Sequence, residues 1–380
     1  MNKVSFGDVV RDVKVNVDRT NNPYDFYVAG DHMDTEELRI LRRGMFSEPP
    51  EPGPAFIRVF KKGQILYGSR RTYLKKVAVA DFDGVTANTT FVLETKDNDV
   101  FLQELLPFLM YSERFTKFSI NNSKGSTNPY ILFSDLARYE FDLPSITEQR
   151  KLAELLWAAN ATREAYKKLI STTDELVKSR FVEMFGDPVT NEKKWPTMTL
   201  KEVGELNRGV SKHRPRNAPE LLGGVYPLIQ TGEIAAADLY LTNYTATYSE
   251  IGFQQSKMWP KGTLCITIAA NIAKTAILDF DACFPDSVVG FIAGKKTNQL
   301  FILFWFSFFQ KLLEEQAPES AQKNINLQTL RELEVIVPPL ELQTHFADFV
   351  RQADKSKFEL QRTIDELEAT YKSLIRENLG

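Results

Sequence analysis

The chain has three histidines, His32, His213 and His345, and two cysteines, Cys265 and Cys283. None stands at metal-ligand spacing from another, and two cysteines cannot build a disulfide framework or a cysteine-rich zinc site. They fit a reducing compartment, where a buried thiol behaves as a small hydrophobe. The acidic pairs Asp81/Asp83 and Asp279/Asp281 have the residue types of a carboxylate metal site. They recur within matching strand-turn text, however, which reads as a structural role. No Gly-x-x-x-x-Gly-Lys-Ser/Thr phosphate loop is present. The residues therefore offer no catalytic constellation.

What they offer is cationic loops. Residues 55–80 carry Arg58, Lys61, Lys62, Arg70, Arg71, Lys75 and Lys76 with no acidic residue. At the centre, Gly68 to Lys76 interleaves cations with Ser69, Thr72 and Tyr73, a mixture that neutralises phosphates and reaches base edges. A second cluster holds Arg208, Lys212, His213, Arg214 and Arg216, and Pro215 keeps it out of a regular helix. Amide-rich segments add Asn121, Lys124 and Ser126, then Gln322, Lys323 and Asn324. Asn and Gln pair bidentately with adenine, and Arg or Lys with guanine. These residues, with Gln230 and Thr231, are the candidate DNA contacts.

The elements that position them are written twice. A shift of 194 residues places Phe6, Asp8 and Val9 on Leu200, Glu202 and Val203. The same shift places Leu143-Pro144 on Val337-Pro338 and Gln149 on Gln343. With small gaps, Val79 to Asp83 matches Ile277 to Asp281. The joint at 187–197 contains Pro188 and Pro196, as a linker should. Apolar and turn positions agree between copies while loops differ, which predicts two related ligands held at once.

Each copy ends in a long helix. Thr147 to Phe185 and Leu340 to Leu379 contain neither Gly nor Pro. Thr147 is the expected N-cap, and Gly186 with Pro188 the stop. A three-four spacing of Leu152, Leu155, Ala159, Tyr166, Leu169 and Leu176, widened by Leu156, Ile170, Val177 and Phe181, predicts a packing seam. Its counterpart is Phe346, Phe349, Ala353, Leu360, Leu367 and Leu374, widened by Ile364 and Ile375. Each helix spans about 39 residues, or roughly 60 Å at 1.5 Å per residue. Such stripes must be buried, and an antiparallel pair buries both. The expected architecture is α+β: heads at 1–143 and 188–337, spacer helices at 144–187 and 338–380. A stiff pair of that length can hold two readers on DNA half-sites, which lie about 34–36 Å apart per helical turn.

The passage Gln322 to Leu327, then Leu330, then Glu334 to Gln343 resembles that from a target-recognition domain into a spacer helix in specificity subunits of type I restriction–modification systems. Gly125 to Thr127, Leu136 and Phe141 to Gln149 repeat it, and Tyr226 to Ile234 resembles another hallmark of that family. The first copy departs from it: Tyr27 to Asp31 only loosely echoes Ile229 to Glu233, and Pro129-Tyr130 stand where Lys323-Asn324 do. The resemblance implies a non-catalytic cytoplasmic subunit that binds double-stranded DNA and no cofactor of its own. It implies two adenine methyltransferase subunits that supply S-adenosylmethionine, and motor-nuclease subunits that cut.

Other readings fit less well. Asn21-Asn22-Pro23-Tyr24 resembles the Asn-Pro-Pro-Tyr of adenine methyltransferases, but Asn22 replaces the first Pro and no Gly-rich cofactor loop precedes it. A coiled-coil scaffold explains the helices but not two divergent basic heads; an orphan DNA-binding regulator would use the same heads. The net charge of −3 argues against coating nucleic acid by charge alone. The N-terminus lacks the apolar run of a signal peptide. Leu300 to Phe309 is too short to span a membrane and predicts a buried helix.

Overall fold

The computed structural model describes residues 2–213, 215–269, 273–316 and 325–379. It divides into two compact units, residues 1–167 with 362–380, and residues 168–361. Both are α+β.

The first unit holds two four-stranded sheets. One runs Val10–Asp12, Thr90–Thr95, Ile65–Gly68, Val77–Val79, all antiparallel. The other runs Gly44–Met45, Phe26–Val28, Gly84–Ala87, Phe56–Phe60, with the central pair parallel. These segments are rich in β-branched and aromatic residues, which fit a half-buried pleat. Gly84 admits the Phe60 ring, which a Cβ would meet at 2.7 Å. The second unit holds a five-stranded sheet, Gly204–Arg208, Val288–Ala293, Leu264–Thr267, Thr275–Leu278, Tyr240–Leu241. Beside it lies a four-stranded one, Ala246–Tyr248, Leu222–Leu228, Ala282–Cys283, Met258–Trp259. Its apolar run Leu300 to Phe309 lies in the helix Gln299–Gln316, with Phe301, Ile302, Trp305 and Phe306 fully buried. No described helix is long and apolar enough to cross a membrane.

The repeat is visible as register. Asn2–Ser5 pairs with Glu140–Leu143 so that Val4 faces Phe141, and Thr197–Thr199 pairs with Glu334–Ile336 so that Met198 faces Val335. Both partners move by the shift that relates the two copies in the sequence. The turns that follow share a cap: the Ser5 N–H donates to Asp8 (3.2 Å), the Thr199 N–H to Glu202 (2.7 Å). One member of each acidic pair is a turn clasp: Asp83 accepts from the Lys62 N–H (2.8 Å) and Asp281 from the Lys261 N–H (2.7 Å).

The long helices are Ile146–Phe185 and Leu340–Leu379, 40 residues each. In the first unit, Leu152 and Leu156 share a core with Tyr371, Ile375 and Leu379. In the second, Val177, Phe181 and Phe185 share one with Phe346, Ala347 and Val350. The start of each helix meets the end of the other, so the pair is antiparallel. Ser145, not Thr147, caps the first helix: its N–H donates to Glu148 (2.8 Å), whose N–H reaches back to the Ser145 hydroxyl (3.4 Å). The chain is extended through Pro144, which places the cap two residues earlier.

The first seam also differs from its sequence reading. Leu152 is buried, while Ala159 and Tyr166 are half-buried. Leu155, Leu169 and Leu176 remain 51%, 49% and 54% exposed. The buried stripe runs one residue further along, through Ala153, Leu156, Asn160, Arg163, Glu164, Val177 and Phe181. Its middle is polar, and a hydrophobic period cannot register a polar interior face. In the second helix Phe346 is buried and Phe349, Ala353, Leu360, Leu367 and Leu374 are half-buried. Val350, Ile364, Tyr371 and Ile375 are its more deeply buried positions.

Candidate nucleic-acid interface

In the first unit the strand Ile65–Gly68 runs into a single turn of 3-10 helix, Thr72–Leu74. That turn is flanked by Arg71 (φ 50°) and Lys75 (φ 47°), both left-handed. Such backbone costs a non-glycine residue roughly 1–2 kcal/mol, and strain of this kind collects at functional sites. The surroundings enforce it. The Arg71 N–H donates to Pro129 O (2.6 Å), the Ile131 N–H to Ser69 O (2.9 Å), and Thr72 and Ser123 share a hydroxyl bond (3.3 Å). Tyr130 bridges Arg70 on one side and Lys124 on the other, where Gly125 turns the chain at φ 86°.

The structure thus joins two candidate segments, 68–76 and 121–126, into one surface through residues 129–131. Arg70, Arg71, Tyr73, Asn121, Lys124 and Ser126 are exposed on it. Arg70 and Arg71 have no side-chain partner among the described residues. Lys124 pairs with Asp135 (2.8 Å), whose carboxyl that bond holds below its ordinary range. Lys75 and Lys76 are engaged elsewhere: Lys75 pairs with Glu36 (2.5 Å), and Lys76 donates to Gly30 O (2.5 Å). Arg58 is buried against Asp12 (3.1 Å) and Lys61 pairs with Asp83 (2.9 Å). Of the cationic run, then, Lys62, Arg70 and Arg71 are the exposed members without a side-chain pairing among the described residues, and of these Arg70 and Arg71 lie on the joined surface while Lys62 stands in the turn before the strand Ile65–Gly68. Exposed Tyr130 belongs to the same surface, and its position beside Arg70 depends on a pairing between segments far apart in the chain.

In the second unit Arg208 ends an edge strand and is exposed. Gly209 follows, pressed so closely on Phe284 that a Cβ would lie 2.2 Å from its carbonyl oxygen. The loop is then pinned by Gln255, whose Oε1 accepts from the N–H groups of Lys212 (2.5 Å) and His213 (3.0 Å). Both side chains are exposed. Arg216 pairs with Asp286. Gln255 carries no sequence signal, because it acts from 43 residues away.

Gln230 and Thr231 begin the helix Thr231–Ala236 under different anchors. The Gln230 N–H donates to Glu233 (2.8 Å), whose other oxygen accepts from the Thr245 N–H and hydroxyl (2.8 Å each). Gln230 is exposed and Thr231 half-buried. The loosely matching text of the first copy builds a shorter 3-10 turn, Gly30–His32, with a similar cap: the Ala29 N–H donates to His32 (3.1 Å). Arg214, Gln322, Lys323 and Asn324 lie outside the described residues. Among the described residues no group of His, Cys, Asp and Glu could hold a metal ion. Cys265 and Cys283 are buried free thiols, and burial pushes both thiol pKa values up.

The family model for the type I restriction modification DNA specificity domain matches residues 57–171 and 192–369. The EcoDI type I restriction enzyme specificity subunit of Escherichia coli is 26% identical over 135 residues, 34% of this chain and 30% of that relative's length. The crystal structure of a type I restriction–modification S subunit from M. genitalium covers the whole chain and 95% of its own, with a TM-score of 0.62 at 15% identity. A chain from a study of type I restriction–modification complex assembly covers 100% and 97%, with a TM-score of 0.59 at 20% identity. At those identities the structures share the fold.

Proposed function

The chain belongs to the type I restriction modification DNA specificity domain family, and we propose that it is the specificity subunit of such a system, each head reading one half of a bipartite DNA target. The heads are residues 1–143 and 188–337; the spacers 144–187 and 338–380 set the unread gap and dock two adenine methyltransferase subunits. Those partners carry S-adenosylmethionine and the chemistry, motor-nuclease subunits join them, and the assembly works in the cytoplasm.

The observation that carries this reading is the exposed surface of Arg70, Arg71, Tyr73 and Tyr130, rigidly built from two distant segments. It is cationic where the chain as a whole is not, and a ligand supplies what its arginines lack. Phosphate contacts there bring the head onto DNA and make binding salt-sensitive. Base-edge contacts then choose the site, each wrong pair costing about 1–3 kcal/mol. Two heads on one chain gain from effective concentration, so neither need bind tightly alone. A partner enzyme reaches its adenine by flipping it from the stack.

Selection of the full chain on a randomised DNA duplex library tests the reading. It predicts two short conserved blocks separated by a fixed unread gap. A single block, or no enrichment, contradicts it.

A further inference from the structure

The polar stretch inside the helix pair repeats with the chain. Arg163 and Lys357 are equivalent positions of the two copies, one on each long helix, and both are buried along most of their length. Asp174 and Glu368 are equivalent positions in the same sense. Lys357 pairs with Asp174 at 2.7 Å, and Arg163 faces Glu368 at 4.0 Å. In each unit, then, a buried cation of one long helix faces an acid of the other.

The head completes each cluster from one equivalent place. Leu38 and Leu239 are buried counterparts whose carbonyls accept from Val79 (2.7 Å) and Ile277 (3.0 Å). The residues just before them are Glu37 and Asp238. Asp238 pairs with Lys357. Glu37 faces Lys167, one helical turn beyond Arg163, at 3.8 Å, while Glu36 accepts an Arg163 bond on its carbonyl (3.3 Å).

Each cluster is one step from a candidate DNA surface. In the second unit, the helix Thr231–Ala236 leads from the capped Gln230 turn and ends two residues before Asp238. In the first unit, the Glu36 carboxylate that Lys75 grips belongs to the residue whose carbonyl holds Arg163. Buried ion pairs contribute little net stability, because desolvation offsets the Coulomb gain. What they fix is geometry: the Lys357 ammonium is satisfied only where both carboxylates converge on it.

We propose that Lys357 with Asp174 and Asp238, and Arg163 and Lys167 with Glu36, Glu37, Glu164 and Glu368, are positioning residues that hold each head at a set angle on the helices and thereby define the gap length of the target. This rests on the specificity reading above. One base pair of gap amounts to about 3.4 Å of rise and roughly 35° of rotation, so a modest loosening of either head admits a neighbouring gap.

The test measures affinity of the full chain for duplexes carrying its selected half-sites with the preferred gap and with one base pair more or fewer. The native chain discriminates against the altered gaps by roughly tenfold, the size of one base mismatch. In Lys357→Met the ratio falls to about twofold with half-site preferences unchanged, and Lys357→Arg restores it. Asp238→Asn, at an exposed acid, gives the same loss without disturbing the core. A variant that binds all gaps more weakly by one common factor shows a merely structural role and overturns the proposal, as does full gap discrimination in Asp238→Asn. A native chain that selects no split site overturns the specificity reading and this inference together. A native chain with a fixed gap that both variants retain overturns this inference alone.

Discussion

Gln149 and Gln343, equivalent positions of the two copies, make the same buried clasp in the two units. Gln149 donates to the carbonyls of Pro144 (3.0 Å) and Val100 (2.9 Å) and accepts from the Leu102 N–H (3.0 Å). Gln343 donates to the carbonyls of Pro338 (2.8 Å) and Lys296 (3.1 Å) and accepts from the Asn298 N–H and the Thr297 hydroxyl (3.0 Å each). Each ties the first turns of a long helix to the loop after a central strand. A carboxamide satisfies both the donors and the acceptors there; a carboxylate or an aliphatic chain does not.

Gln149→Leu or Gln343→Leu strands buried backbone groups. The expected cost is about 2–3 kcal/mol, or roughly 4–12 °C for a unit of this size. Calorimetry of each variant checks it. An unchanged transition would show that the clasp is dispensable.

Arg70→Ala and Arg71→Ala should each weaken DNA binding and lower the steepness of its salt dependence by about one released counterion. Lys75→Ala should leave the salt slope unchanged, since Lys75 is held by Glu36. Affinity titrations at several salt concentrations separate these outcomes.

The exposed leucines of the first long helix give a direct check on its buried face. Leu169→Ala should change stability by no more than about 0.5 kcal/mol. Phe181→Ala, one stripe over and fully buried, should cost about 3–5 kcal/mol. Equal costs would mean that the helix turns a different face to the core.

Asp354 supplies a pH signature. Burial is the largest influence and raises its carboxyl above the ordinary value; nearby Lys357 opposes this, and Asp238 and Asp174 reinforce it. A folded-state pKa raised in this way adds stability below the unfolded value and loses it as pH rises through the folded one. Asp354→Asn should therefore stabilise the second unit at neutral pH, with the gain fading as the pH falls through the carboxylate range. A gain independent of pH would exclude titration of Asp354 as its source.

The repeat was legible because strand register and turn caps rest on local text. Val4 and Met198 pair across their ribbons at the sequence shift, and the Asp8 and Glu202 caps follow it. The antiparallel pairing of the helices was legible from their length and apolar content. On the first helix, Leu156, Val177 and Phe181 were legible as the widening of the stripe, but the centring of the buried face on them was not, because Asn160, Arg163 and Glu164 occupy its middle. The distant partners of Arg163 and Glu164, Glu36 and Arg39, stand far away in the chain, and only folding brings them together. For the same reason Lys75 and Arg71 look alike in the sequence, yet one is paired and the other is left for a ligand.

The most direct test is a map of N6-methyladenine in a host otherwise free of it, with this chain coexpressed with its adenine methyltransferase partner. The account predicts one bipartite motif with a fixed gap, and a change in only one half when residues 68–76 are exchanged for those of another head. Methylation at a single undivided motif, or a change in both halves after that exchange, would contradict the two-headed reader.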